Sequence, residues 1–405
     1  MDGLRAIAVI AVIINHLHDH WLPSGHLGVD IFFVISGYVI TLSLVNRTDQ
    51  KLGSFLSSFY GRRVKRLMPA LLVCVLLTSL AVILLAPQPQ DSLSTGKMAM
   101  VGLANIYLYN IGTNYIGELA QKNAFLQTWS LGVEEQFYFI FPLLFWIFLR
   151  NRSRLKLVWT ALFISTLSLL SFALYLYRIR SDYWSAFYLL PSRFWELGLG
   201  VVSFLLLRTE IQEQQASYWQ GWPKKWLAPS LQMILVIGLV AVLFADPAKA
   251  GVNTPLAAGL TALIIAAGSL RIENKTLLEN RGFLWIGLIS YSLYLWHWSV
   301  LYVARMLQVD INHWTAIGPY SHHAFNGVIQ LLSHRKSVAI RHLGKYASVD
   351  NTDGTSIGVD GNHCSHNSPR VSSLLVSRSA GQLAAQQNLD GETKRSVSYR
   401  NDRSA

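Results

Sequence analysis

The sequence predicts an all-α, polytopic membrane helix bundle with about nine crossings, one short re-entrant segment and a disordered C-terminal tail. Three observations predict it. Of the 405 residues, 52% are hydrophobic and only 14% charged, a composition that suits a membrane protein better than a soluble globule. Apolar runs near span length recur from the N-terminus to about residue 304. Lys and Arg gather in short stretches between those runs, where the positive-inside rule expects them. That placement accounts for much of the net charge of +12, so a nucleic-acid partner is not required.

The apolar segments lie at about 4–17, 28–45, 68–86, 98–110, 133–149, 155–177, 187–207, 228–244, 255–269 and 283–304. A crossing helix needs about 20 apolar residues. By that measure 98–110 is short, and 4–17 and 255–269 are marginal. The first segment is not a removable signal peptide, because further apolar segments follow and no small-residue cleavage site precedes them. Basic stretches at 46–66, 150–156, 208–227 and 271–281 belong in the cytoplasm, whereas 18–27, 87–97 and 245–254 suit the far side. These assignments agree only if 98–110 does not cross, as a re-entrant or external helix buried against protein. Nine crossings remain, with Met1 inside and the chain beyond about 305 outside. The stretch 178–186, with Arg178 and Arg180, runs mildly against this topology.

From about Pro319 apolar periodicity disappears, and Ser, His, Asn, Gly and Arg predominate. Such a composition buries little core and reads as disordered. The expected division is therefore a membrane-embedded domain at 1–318 and a tail at 319–405. Cys74 lies in an apolar run and Cys364 in the tail, without disulfide or zinc spacing.

The titratable residues within the apolar runs are the candidates for chemistry. Arg5 and His16 are eleven residues apart, about three turns, and share one helical face. A charge within a bilayer costs roughly 2.5–3.5 kcal/mol on insertion scales unless it is paired or faces water. Asp30, in Gly28-Val29-Asp30, is read from spacing as a helix-start cap, or else as a partner of His16 or an arginine. Arg62, Arg63 and Arg66 anchor the inner edge of the third span; the i,i+3 pair Arg63 and Arg66 also presents two forks suited to phosphate. Glu134, in Trp129-Ser-Leu-Gly-Val-Glu-Glu-Gln-Phe-Tyr138, opens the fifth segment on the outer side. Arg193 and Glu196 form an i,i+3 pair inside a span, and His297 reads as an interfacial aromatic-belt residue.

Taken together and in order, Asp-Gly-Leu-Arg-Ala…His, Gly-Val-Asp-Ile-Phe-Phe-Val-Ile-Ser-Gly-Tyr, Arg-Arg-x-x-Arg-x-x-Pro, Trp-Ser-Leu-x-Val-Glu-Glu-Gln-Phe-Tyr and Tyr-Ser-Leu-Tyr-Leu-Trp-His resemble acyltransferase family 3 over about residues 1–318. The resemblance implies a bacterial inner-membrane enzyme of about ten spans. It would move an acyl group, usually acetyl, from cytoplasmic acetyl-CoA to a hydroxyl of a periplasmic or surface carbohydrate such as O-antigen or exopolysaccharide. It also aligns His16 with the family's essential histidine, Arg5 with its first-helix arginine and Asp30 with its second-span acid. Arg63 and Arg66 fall on its Arg-x-x-Arg pair, and Glu134 on its Val-Glu-Glu-Gln acid. Two departures stand out: Met1 abuts the first motif, and no return span with a Glu-x-Pro motif follows the Tyr-Leu-Trp-His helix. The expectation drawn from them is a reading-frame change near Gly318 and an incomplete domain.

The resulting expectation is His16 as general base or transient acyl carrier, held by Asp30, with Arg62, Arg63 and Arg66 at the donor's phosphates. Arg5 would counter an oxyanion or hold the acid in place, and Glu134 would serve the acceptor side. Histidine suits the task because its ordinary pKa, about 6.5, leaves it largely neutral at pH 7. Alternatives are a transporter or flippase, which buried Arg, His and Glu also suit, and an inactive truncated acyltransferase. A weaker alternative is a metal site among His16, His18, Asp19, His20 and His26, weaker still among His363, Cys364 and His366. The preferred reading needs no metal.

Overall fold

The computed structural model describes residues 1–45, 51–114, 122–149, 154–211, 224–269 and 277–309. The chain divides into two units, Met1–Val338 and Ala339–Ala405, and every described residue lies in the first. The tail expected at 319–405, with His363, Cys364 and His366, lies outside the described residues, as do Arg47, Arg150, Arg152, Arg271 and Lys275 of the basic stretches.

Every regular element among the described residues is helical. In chain order they are α1 (Asp2–Leu17), α2 (Gly28–Val45), α3 (Leu52–Leu85), α4 (Gln90–Met100), α5 (Ala104–Asn114) and α6 (Thr128–Leu149). Then come α7 (Arg154–Ser181), α8 (Tyr183–Tyr188), α9 (Leu190–Ile211), α10 (Lys224–Leu243), α11 (Ala250–Ser269) and α12 (Arg281–Met306). The apolar runs and the helices thus correspond closely, with two informative differences. The basic cluster at 62–66 is not a loop, because α3 begins at Leu52 and carries it on helical turns. The short run 98–110 is broken by Gly102, whose φ of +71° lies in the left-handed region that glycine adopts without strain. The pieces on either side, α4 and α5, are eleven residues each, about 16 Å, so neither could span a core of roughly 30 Å alone.

Among the described residues, five helical stretches are long and apolar enough to cross a membrane: Gly25–Val45, Leu52–Leu85, Val158–Ser181, Tyr183–Leu207 and Pro247–Gly268. This is fewer than the nine crossings expected from the sequence. The physical reasons are local: α1 has only sixteen residues with Asp2 and Arg5 among them, α6 carries Glu134 and Glu135, the apolar part of α10 is the shorter Ser230–Leu243, and α12 is dense in Tyr, Trp and His. Several helices of span length and apolar composition are what a multi-pass membrane protein presents.

Helix α1 packs against α2 and α12, α2 against α9, α9 against α7, and α10 against α11. Glycine permits two of these approaches. A Cβ at Gly37 of α2 would stand 1.9 Å from the Leu197 carbonyl oxygen, and one at Gly200 of α9 would stand 2.0 Å from that of Val34. Backbone therefore lies on backbone at the α2–α9 crossing, the small-residue packing usual between membrane helices. At the turn between α7 and α8, Arg178 pairs with Asp182 at 3.3 Å. That pairing offsets one of the two arginines that ran against the charge rule.

Candidate active site

A cavity of about 510 Å³ lies among α2, α3, α6 and α12. Four guanidinium groups line it: Arg5 from α1 and Arg62, Arg63 and Arg66 from α3. The helical continuation of α3 upstream of Pro69 brings the last three onto one cavity, Arg63 and Arg66 from the one face their i,i+3 spacing suggested and Arg62 beside them. Arg63 lies with its guanidinium carbon 3.2 Å from the centre of the Tyr138 ring and its Nε 3.9 Å from Glu135 Oε1. That Nε is buried without a hydrogen-bond partner. A buried, unpaired cationic donor costs free energy unless something accepts from it. Its chemistry, with three further arginines on the same cavity, fits an anionic phosphorylated ligand.

Glu134 lines the same cavity, accepting hydrogen bonds from Ser36 Oγ at 2.7 Å and Tyr138 OH at 3.1 Å. It was expected on the acceptor side. The structure puts it with the arginines instead, because α6 starts at Thr128 and Glu134 lies nearly two turns into it, facing Ser36 in the middle of α2. Ser36 and Tyr138, both within the recognised motifs, were not singled out as site residues.

Arg5 donates to Asp2 Oδ1 at 2.9 Å and lines the cavity. Eleven residues separate it from His16, about 16 Å of helix rise. One side chain does not bridge that distance, so the expected roles beside His16, as oxyanion partner or as holder of its acid, are not supported.

The expectation that Asp30 orients His16 is also overturned. Asp30 accepts from Arg193 Nη1 at 2.7 Å, and the same nitrogen donates to Glu196 Oε1 at 2.8 Å. All three side chains are buried, and the rings of Trp129, Tyr175 and Phe187 stand around the guanidinium. Asp30 thus ties α2 to α9. An arginine with a second carboxylate one turn away holds it more firmly than an imidazole would.

His16, near the C-terminal end of α1, has a different partner. Its Nδ1 lies 3.0 Å from Nε2 of His297 in α12, with the two rings almost parallel at 11° and Trp298 edge-on to His16. Nδ1 of His297 is hydrogen-bonded to the Tyr294 carbonyl. Neither histidine lines the cavity. Tyr294, one turn before His297, does; its ring centre is 5.4 Å from that of His297, and its hydroxyl pairs with Ser130 at 2.7 Å. The cavity and the histidine pair therefore share Tyr294 as a common wall. From the sequence His297 was read as an interfacial aromatic-belt residue at the end of the Tyr-Ser-Leu-Tyr-Leu-Trp-His motif, and its pairing with His16 was not foreseen.

The other histidines near α1 scatter: His18 stacks on Trp21, His20 sits by Asp19 at the surface, and His26 lies beside Arg193. Among the described residues no three such side chains converge as metal ligands.

Residues 1–329 match a family model described as an acyltransferase domain. The chain belongs to acyltransferase family 3. Two relatives from Staphylococcus aureus illustrate the match. The protein named "Putative O-acetyltransferase SACOL0978", from strain COL, is 32% identical over 326 residues, which cover 76% of this chain and 52% of that protein. "O-acetyltransferase OatA" of strain NCTC 8325 is 31% identical over 315 residues, covering 74% of this chain and 50% of that protein. The chain spans about half the length of the curated relatives it matches. No solved structure matches it. The family match runs eleven residues beyond 318, the end of the resemblance carried by the motifs, into residues outside the described set.

Proposed function

We propose that this chain is a membrane O-acyltransferase that moves an acetyl group from acetyl-CoA to a hydroxyl of a cell-surface or periplasmic carbohydrate. One observation carries the reading: a cavity walled by four arginines ends at Tyr294, against which the His297–His16 pair is packed. The acetyl-CoA supplies an activated thioester. Arg62, Arg63 and Arg66 hold its phosphates, with Arg63 Nε as an open donor and Arg5 adding charge to the same grip. Glu134, fixed by Ser36 and Tyr138, offsets part of the mutual repulsion of the arginines when no anion is bound.

His16 takes the proton of the acceptor hydroxyl as that oxygen bonds to the acyl carbon. The carbon–sulfur bond breaks, and the proton passes from His16 to the departing sulfur. In the carrier variant the same ring nitrogen bonds the acyl carbon first as the carbon–sulfur bond breaks and the thiolate leaves; the ring then yields the acyl group to the hydroxyl, whose released proton balances the thiolate. A positioned base contributes about 10²–10⁴-fold. In either variant the thioester must pass Tyr294.

The bacterial inner membrane follows from the family, and the charge rule supplies the orientation: nine crossings, Met1 and the arginine wall on the cytoplasmic face, and the chain beyond about 305 outside. The membrane-embedded unit is assigned to 1–318 and the tail to 319–405.

The test uses membranes containing the full chain, supplied with acetyl-CoA labelled in its acetyl group. Base-labile label should appear in the carbohydrate fraction and be lost in a His16→Ala variant. Undiminished transfer by that variant would remove both His16 roles. A second reading, proton-coupled transport, is favoured by the buried Arg193–Asp30–Glu196 cluster. It expects solute movement that needs no acetyl-CoA.

A further inference from the structure

We infer that His297 is a positioning residue that locks His16 into a single tautomer and leaves Nε2 of His16 as the lone pair that does the chemistry. The inference rests on the acyl-transfer reading of His16 and adds to it a residue, a ring nitrogen and a direction.

The Tyr294 carbonyl can only accept a hydrogen bond, so the His297 Nδ1 that meets it must carry the hydrogen. A neutral imidazole has one N–H, so Nε2 of His297 is an acceptor. The atom facing it at 3.0 Å is Nδ1 of His16, which must then donate. Nε2 of His16 is left bare. A backbone carbonyl of α12 thereby sets the protonation of a ring on α1, through a neighbour 281 residues away in sequence.

The surroundings hold this chain of bonds in register. His297 is buried, and its ring stands nearly parallel to that of His16. Trp298 meets His16 edge-on at 4.8 Å between ring centres, which limits rotation of the ring. Arg305 donates to the His16 carbonyl at 3.1 Å and lies over Trp298, tying the end of α1 to α12. The arrangement serves the reaction in two ways. It fixes which nitrogen is the base or nucleophile. When that nitrogen takes a proton, or an acyl group, the ring becomes cationic and its Nδ1–H keeps a full acceptor in His297, so the charge does not develop against an unpaired donor. In serine hydrolases an acid holds the catalytic imidazole in this way; substituting its amide leaves the geometry but reverses the tautomer, at a loss of about 10⁴-fold.

The test compares substitutions that differ in where they place an acceptor. A glutamine amide oxygen can reach about the position of the histidine Nε2, whereas the shorter asparagine cannot. Full-length His297→Gln, His297→Asn and His297→Leu are assayed for transfer from labelled acetyl-CoA. The Gln variant should stay within about tenfold of the parent, while Asn and Leu should lose about 10²–10⁴-fold with the KM for acetyl-CoA unchanged. Equal losses in Gln and Leu, or full activity in Leu, would overturn the inference.

A second readout does not depend on activity. Nitrogen NMR of the ¹⁵N-histidine-labelled parent should show His16 protonated at Nδ1 and bare at Nε2. The opposite tautomer, or one unchanged by His297→Leu, also overturns it. Full activity in His16→Ala would instead defeat the acyl-transfer reading while leaving the tautomer measurement standing.

Discussion

Asp30 and Arg63 show how burial sorts apparently similar charged residues. Asp30 sits in the motif Gly-Val-Asp and invites assignment to the reaction, yet its carboxylate is spent on Arg193. Removing one partner of a buried pair leaves the others unpaired in a poor solvent for charge, at a cost of about 3–5 kcal/mol. Arg193→Met, which strands both Asp30 and Glu196, should therefore lower the unfolding temperature in detergent markedly; unchanged stability would show that the cluster does not hold the bundle. Arg63 is the contrary case, with a partly exposed guanidinium, a stacking partner in Tyr138 and an unused Nε. Arg63→Lys keeps the charge but removes the planar fork and the stacking. The expected result is a rise of about tenfold or more in the KM for acetyl-CoA, one well-made charged hydrogen bond being worth about 1.5–3 kcal/mol. Equal KM values for the two proteins would count against phosphate binding at this residue.

At the scale of elements, two glycines decide a helix packing. Gly37 lies in Ile-Ser-Gly-Tyr and Gly200 in Leu-Gly-Leu-Gly, and each presses on the backbone of the other's helix. An added methyl at either place meets a carbonyl oxygen held rigidly in a helix, not a side chain that can swing away. Gly200→Ala should destabilise by about 1–3 kcal/mol, the usual cost of overpacking, read as a lower detergent melting temperature. Because α2 also carries Ser36 and Asp30, the displacement should disturb both the cavity and the Arg193 cluster. Helix boundaries were largely legible in advance. The extension of α3 through its basic turns was not, because Arg and Lys are good helix formers that hydropathy counts as loop.

For the whole molecule, the central question is which ends of the helices share a face. The charge rule places 18–27 and 245–254 together on one side of the membrane, and 150–156 with 271–281 on the other. Of these, 18–27 and 245–254 do meet: Ser24 bonds to the backbone of Leu243 and Ala245. Single cysteines introduced at positions 20 and 249, in a background lacking Cys74 and Cys364, should react with a membrane-impermeant maleimide in intact cells. Cysteines at 152 and 275 should react only after permeabilisation. Any exchange between the two sets would overturn the nine-crossing topology.

What the sequence by itself determined is the class of molecule: helices from apolar runs, basic stretches between them, and a family from ordered motifs. It also placed Arg63 and Arg66 on one helical face, since i,i+3 geometry is local. Only the tertiary structure decided the partners. His16 with His297 and Asp30 with Arg193 are contacts between helices distant in sequence, set by how each helix is rotated and how closely glycine lets it approach. Periodicity records which face of a helix is buried, but not which side chain on another helix waits there.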